Sequence, residues 1–280
     1  MRDTKYPLYV LIAMLIFGSM GIFARLSGQN GLVIVAAASL VSALSMLFVL
    51  LKRKQLKPIF TGKIWMLILI GILGAANNSL YFYAFTLTKI SDAAFLHYLA
   101  PAFVLVLSLL FLGEKITSKK VIAVAVAMFG LVLITGKPSF ASISSVGNIL
   151  AIGSALAYGA SIIAYKRVMK HFNVMQIIFG QMAFSFLVFS PFLFSAIPFI
   201  QPISWIYLLI IGFVHQFIAV IFHLKGLEGL KATTVAILGY LEPFFALILA
   251  WLFLGEAGTM LSIVGGALIL ASGYIIIKKN

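Results

Sequence analysis

The chain has 280 residues, 63% of them hydrophobic and 9% charged, with a mean hydropathy of +1.18 and a net charge of +14. So little polar surface excludes a soluble globule, and the apolar runs lack the ten-residue alternation of a membrane barrel, which leaves an all-α integral membrane bundle. There is no cysteine, so disulfides, thiolate metal sites and cysteine catalysis are excluded together.

Apolar runs of roughly 18 to 23 residues, broken by charge, Gly or Pro, give ten transmembrane helices. Their expected limits are about 7–26, 32–51, 64–84, 91–112, 119–136, 147–165, 174–195, 204–224, 233–253 and 258–277. The first run is as long as a full span and lacks a small-residue cleavage site after it, so it is expected to stay as the first membrane helix. The connections are short and leave no room for a soluble domain.

In a soluble protein the basic excess would suggest nucleic acid; in a bilayer it marks topology, and no nucleic-acid partner is expected. With both termini on one side, that side receives Arg2, Lys5, Lys52, Arg53, Lys54, Lys57, Lys63, Lys115, Lys119, Lys120, Lys166, Arg167, Lys170, Lys225, Lys231, Lys278 and Lys279. The other receives only Arg25, Lys89 and Lys137. The bias places both termini in the cytoplasm and the chain in the cell (inner or plasma) membrane.

Two stretches organise this pattern. Tyr98-Leu99-Ala100-Pro101 runs on to Leu110-Phe111-Leu112-Gly113-Glu114, and Tyr240-Leu241-Glu242-Pro243 runs on to Leu252-Phe253-Leu254-Gly255-Glu256. Matched residues differ by 142 in number, close to half the chain, so residues 1–140 and 141–280 read as two copies of a five-helix unit. Five is odd, so the second copy enters from the opposite side and the topology is inverted. The loop after the first Gly-Glu carries Lys115, Lys119 and Lys120, whereas the matched stretch from Ala257 to Ser262 carries no charge. The matches Arg25 with Arg167 and Lys89 with Lys231 read as traces of duplication. Inverted copies make two nearly equivalent arrangements available, one open to each side, which is the geometry of alternating access.

Pro101 and Pro243 fall inside spans four and nine, where a proline frees the carbonyl four residues earlier, that of His97 or Gly239. Matched helix breaks at membrane depth point to a binding site. Glu242 is the one carboxylate near the centre of a span, and its matched position is Ala100. A carboxylate in hydrocarbon is costly enough to be functional by default, either binding a cationic group or carrying a proton; the sequence leaves both roles open. His97, His215, Gln216, Asn77, Asn78, Tyr81, Tyr98, Tyr158 and Tyr240 could join it around a cavity that holds an amphipathic molecule by stacking and directed hydrogen bonds. Gln181 and Tyr83 add to the same set, and His223, nearer a cytoplasmic end, is a weaker candidate. Glu242 with the intramembrane histidines motivates an expectation of proton coupling.

The Gly-Glu pairs read as structural. Gly113 and Gly255 can close their helices in the left-handed conformation, and Glu114 and Glu256 sit near the start of the next helix, where free amides favour an anion. Gly18 and Gly21, Gly71 and Gly74, and Gly265 with Gly266 fit close helix packing.

The ten spans, the duplication, and the two motifs Leu99-Ala100-Pro101 to Gly113-Glu114 and Leu241-Glu242-Pro243 to Gly255-Glu256 resemble the EamA-like group of the drug/metabolite transporter superfamily over the whole chain. The resemblance implies two interleaved inverted halves around a cavity formed by spans one, three, four, six, eight and nine. It also implies a secondary transporter of small metabolites, with amino-acid export, aromatic or hydrophobic amino acids included, as the expected activity. Uptake of a quaternary amine such as choline is the alternative within this class, and a non-transporting membrane binding protein is the alternative outside it. An enzyme is not expected. The chain holds no phosphate-binding loop, no His-Glu-x-x-His motif and only six acidic residues, and nothing calls for a cofactor or metal.

Overall fold

A computed structural model describes residues 5–56, 62–136, 146–255 and 258–277, and among these every regular element is helical. The expected boundary at 140/141, together with Arg2, Lys57, Lys137, Glu256, Ala257, Lys278 and Lys279, lies outside the described residues. Ten helical spans are long and apolar enough to cross a bilayer, from Lys5–Ser27 to Met260–Ile277, and each overlaps one of the expected spans. The large apolar side chains left exposed, such as Phe199, Phe253 and Leu187, face outward as lipid-facing residues do.

Spans one to three are α1 (Lys5–Ser27), α2 (Gly31–Lys52) and α3 (Ile64–Leu87). Span four is two helices, α4 (Ile90–His97) and α5 (Ala100–Leu112), and span five is α6 (Ser118–Thr135). In the second half α7 (Val146–Val168) and α8 (Val174–Ala196) form spans six and seven. Span eight joins α9 (Pro202–Ile210) to α10 (Val220–Gly229) through a π-helical segment, Ile211–Ala219. Span nine is again broken, into α11 (Ala232–Leu238) and α12 (Leu241–Leu254), and α13 (Met260–Ile277) closes the chain. Polar residues at the ends set the boundaries. Asn30 caps α2 by accepting from the Val33 amide at 3.0 Å, and Asn173 and Gln176 form a reciprocal capping box on α8. Gly113 and Gly255 end α5 and α12 at φ of +67° and +69°, a conformation that costs nothing only without a Cβ.

Lipid is as apolar as leucine, so close approach and hydrogen bonding must hold the helices together. Gly130 and Gly265 bring α6 and α13 into backbone contact: a Cβ on either would lie 2.6 or 2.4 Å from the other's carbonyl oxygen. Two turns along, the Ser272 hydroxyl donates to the Ala123 carbonyl at 2.7 Å, so these helices run antiparallel. The two contacts are copies of each other, since 142 separates 130 from 272 and 123 from 265. The same exchange relates α1 on α12 to α7 on α5. A Cβ on Gly18 would meet Phe245, Ala246 and the Glu242 carbonyl, and one on Gly159 would meet Phe103, Val104 and the Ala100 carbonyl. Gly71 and Gly74 press on Phe184 and Gln181, and Gly266 on Phe244, whereas Gly21 faces open space.

The loops assigned to the basic side touch one another. Gln55 accepts from Asn173 at 3.1 Å, Lys63 meets His171 at 3.0 Å, and Lys166 reaches the Glu228 carbonyl at 3.4 Å. Arg167 has a task beyond a trace of duplication: it donates to the Phe111 carbonyl at 2.8 Å, near the end of α5, and lies over the Phe111 ring. Lys89 and Lys231 stand at matched positions, each just before the first residue of the shorter helix of a broken span.

Glu114 departs from expectation. Its carboxylate does not cap α6, the next helix; it crosses to the other half of the chain. Oε1 accepts from the Ala232 amide at 2.7 Å, and Oε2 accepts from the Thr233 hydroxyl at 2.6 Å and the Thr233 amide at 3.4 Å. Buried Lys120 pairs with it at 3.4 Å. The reason is the paired break: α11 begins beside the end of α5 and offers free amides closer than α6 does.

Candidate functional site

The broken spans meet at the middle of the bundle. Tyr98 and Leu99 interrupt span four, and Gly239 and Tyr240 interrupt span nine, with Pro101 and Pro243 in the first turn of the helix that follows. The Gly239 carbonyl is not left to water, because it accepts the Glu242 amide at 3.0 Å in a tighter turn. At the other break the Tyr98 carbonyl accepts the Tyr240 hydroxyl at 2.9 Å. The prolines therefore open the helices, and local turns and a tyrosine from the other half satisfy these carbonyls.

Glu242 sits in the first turn of α12. Its carboxylate lies beside the Tyr98 hydroxyl and is close enough to Tyr81 and Tyr158 to interact with them through space. His97, the last residue of α4, completes the group. Its ring centroid is 4.2 Å from that of Tyr81, 5.8 Å from Tyr158 and 6.2 Å from Tyr98. Tyr98 and Tyr240 lie 6.4 Å apart, and Tyr240 is fully buried. Tyr81, His97, Tyr98, Tyr158 and Glu242 all stay half-buried although they lie at mid-span. Space for a small group thus remains beside them.

Hydrogen bookkeeping fixes the state of His97. Nδ1 lies 2.9 Å from the Ser154 Oγ, and Ser154 spends its one hydrogen on the Ala151 carbonyl at 2.7 Å. Nδ1 must then be the donor, and in the neutral ring Nε2 is an acceptor. The site combines an acidic group, an imidazole acceptor and three tyrosines, a set suited to a cation that carries N–H donors.

The other expected residues divide. Asn77 and Asn78 precede Tyr81 by four and three positions on α3, so they share its face; their side chains lie 3.5 Å apart and the Asn77 Oδ1 is buried without a partner. His215 is fully buried in the π-helical segment, where its Nε2 meets the Ser19 Oγ at 2.9 Å beside the Phe23 ring. Ser19 follows Gly18, which packs on the Glu242 carbonyl, so α1 separates His215 from the central group by one residue step. The Gln216 carbonyl accepts from Ser42 at 2.8 Å. Gln181 is bonded by the Tyr165 hydroxyl, Tyr83 is exposed, and His223 packs on Phe17. Reading the sequence missed Ser154 and Ser19, which orient the two histidines. A signal existed for the first, since Ser154 and Tyr158 are four apart on α7.

The pattern of the EamA-like transporter family matches the chain twice, over residues 4–136 and 145–278. The chain belongs to the EamA-like transporter family. Each half is one copy of the family's unit, and the paired breaks recur because the unit does. Among relatives of this EamA-like protein, the pseudopaline exporter CntI of Pseudomonas aeruginosa is 29% identical over 258 residues, 88% of this chain and 89% of that one. Protein PecM of Dickeya dadantii is 26% identical over 249 residues, covering 85% and 82%. A crystal structure only 17% identical superposes with a TM-score of 0.84 over 98% of this chain and 97% of the other, which shows a shared fold.

Proposed function

We propose that this EamA-like transporter is a secondary exporter of small amphipathic metabolites, amino acids foremost, with Glu242 receiving the substrate's ammonium group. The observation that carries this reading is the unshared carboxylate at the break of span nine, beside the Tyr98 hydroxyl and flanked by Tyr81, Tyr158 and His97. An ammonium gains from a carboxylate and from aromatic faces at once, and both gains grow away from water. The resemblance to a protein named an exporter supports the outward direction.

In this reading residues 1–140 and 141–280 are inverted halves that alternate in exposing Glu242 to each side. The exchanged contacts of α6 with α13 and of α1 and α7 with α12 and α5 support the inversion. The basic loops face the cytoplasm of a cell whose inner or plasma membrane holds the protein, with both termini inside. Protons moving inward drive export, exchanged at Glu242 when substrate leaves.

Reconstituted vesicles test this reading with a panel of amino acids and amines under pH gradients of either direction. Uptake of an amino acid into vesicles in the orientation that corresponds to export supports it; a protein that moves none of the panel overturns it. The aromatic surroundings of Glu242 favour one second reading, transport of a quaternary amine. Choline that competes better than neutral amino acids would favour that reading.

A further inference from the structure

We propose that Glu114, with Thr233 and Lys120, is the closed gate of one mouth of the transport path, and that the structure is the conformer open at the opposite mouth. The proposal rests on the alternating-access reading above.

The starting observation is the reach of Glu114 between halves. It belongs to the loop that ends span four, yet its carboxylate holds the Ala232 amide at 2.7 Å and the Thr233 hydroxyl at 2.6 Å, at the start of span nine. Lys120 lies 3.4 Å from the same carboxylate, is 4% exposed, and donates its other bond to the Lys115 carbonyl at 3.0 Å. A charge pair this enclosed, with its remaining hydrogen-bonding capacity taken up, holds a geometry that solvent would otherwise loosen.

The consequence is visible in what α11 touches. Among the described residues α11 packs on α1, α10 and α13 and also on α5, α6 and α7. The shift of 142 turns α11 into α4, and α5, α6 and α7 into α12, α13 and α1. If both mouths were in the same state, α4 would pack on α12, α13 and α1. Among the described residues none of those three packs closely; α4 lies against α7, α3 and α6, the matches of α1, α10 and α13, and lacks the second set of neighbours that α11 has. Burial differs at one matched pair. Val235 and Leu238 of α11 and their matches Ala93 and Leu96 of α4 are all buried, but Ala236 is 5% exposed whereas its match, Ala94, is half-buried. One unit repeated twice has packed differently at its two ends. The central group lies between them, with His97 ending α4 and Glu242 in the first turn of α12, the two helices that stand apart. The open mouth is therefore the one beside Lys89, and the mouth at Glu114 is shut.

For alternating access the Glu114 contacts must break so that α11 can move from α5 and α6, as α4 already stands from α12 and α13. Glu114 is a positioning residue here: it acts on the path through α11 and does not touch the substrate.

The lack of cysteine makes the test direct. Ala94→Cys and Ala236→Cys are introduced singly into the full chain, and their labelling by a membrane-impermeant maleimide is timed in vesicles of each orientation. In the otherwise unaltered protein the cysteine at 94 reacts faster, each position from its own side. Adding Glu114→Gln, or Thr233→Val should the first variant fail to fold, speeds labelling at 236 and slows it at 94, each on the order of tenfold. Thr233→Ser keeps the hydroxyl and leaves both rates unchanged. Rates that rise together at both positions mean mere loosening and overturn the gate, as do rates that stay fixed. Uptake of a labelled amino-acid mixture is followed in the same vesicles. Transport that persists with both rates unmoved overturns the gate and leaves the carrier standing, whereas no transport by the unaltered protein overturns the carrier reading itself.

Discussion

Tyr98 and Tyr240 occupy matched positions in the two halves and touch at the centre of the bundle, the Tyr240 hydroxyl donating to the Tyr98 carbonyl at 2.9 Å. The contact breaks the symmetry it sits on. The Tyr98 hydroxyl has Glu242 beside it, while the matched position, Ala100, has nothing to offer Tyr240, which turns to backbone instead. A single difference between the copies, carboxylate against methyl, thus gives two equivalent tyrosines different surroundings, one beside Glu242 and one bonded to the frame.

That division predicts different outcomes for the same small change. Tyr240→Phe removes one interhelical hydrogen bond, worth about 0.6 kcal/mol on average in membrane bundles. It should lower the thermal midpoint in detergent by roughly 1–2 °C and leave substrate affinity nearly intact. Tyr98→Phe should instead weaken substrate binding several-fold. Thermal unfolding and binding measured on both variants check the assignment, and an affinity loss in Tyr240→Phe as large as that in Tyr98→Phe would contradict it.

Glu242→Gln keeps shape and hydrogen-bonding capacity but removes the charge. A charge-assisted hydrogen bond contributes roughly 1.5–3 kcal/mol, so transport efficiency for an ammonium substrate should fall about 10- to 100-fold. Accumulation driven by a pH gradient should disappear as well. Full retention of that accumulation would remove Glu242 from the proton path even if binding suffered.

Ser154→Ala tests the orientation of His97. Without the Oγ acceptor at 2.9 Å, Nδ1 loses its partner and the ring is free to flip or change tautomer. Affinity should fall about fivefold, equivalent to roughly 1 kcal/mol. The loss should be larger for primary amines, which can donate to Nε2, than for quaternary ones, which cannot. Equal losses for the two classes would show that Nε2 does not face the substrate.

The frame was readable because it follows from periodic quantities. Span length, the basic residues and the 142-residue repeat specify ten helices, and Gly113 and Gly255 close theirs in the left-handed conformation foreseen for them. Glu242 stood out because a carboxylate at that depth is rare. What could not be read depends on which distant atoms meet. Glu114 precedes α6 by four positions, so a local rule assigns it there, and only folding brings Ala232 nearer. The π-helical segment that carries His215 has no marker in the sequence, and Ser154 looks like any serine until His97 is placed beside it.

Two glycines three residues apart on α1 should behave in opposite ways. A Cβ on Gly18 would lie 2.8 Å from the Ala246 nitrogen and 3.0 Å from the Glu242 carbonyl oxygen, both backbone atoms that cannot turn aside. Gly18→Ala must therefore push α1 from α12, at a cost of about 1–3 kcal/mol. It should also impair transport, because the displaced turn carries Glu242 and the next residue, Ser19, holds His215. At Gly21 an added Cβ meets nothing within 4 Å. Gly21→Ala should leave transport unchanged and stabilise the helix by about 0.4–1 kcal/mol. Thermal stability in detergent and uptake by vesicles, measured side by side, check the contrast; an unaltered Gly18→Ala protein would mean that α1 and α12 are less closely packed than described.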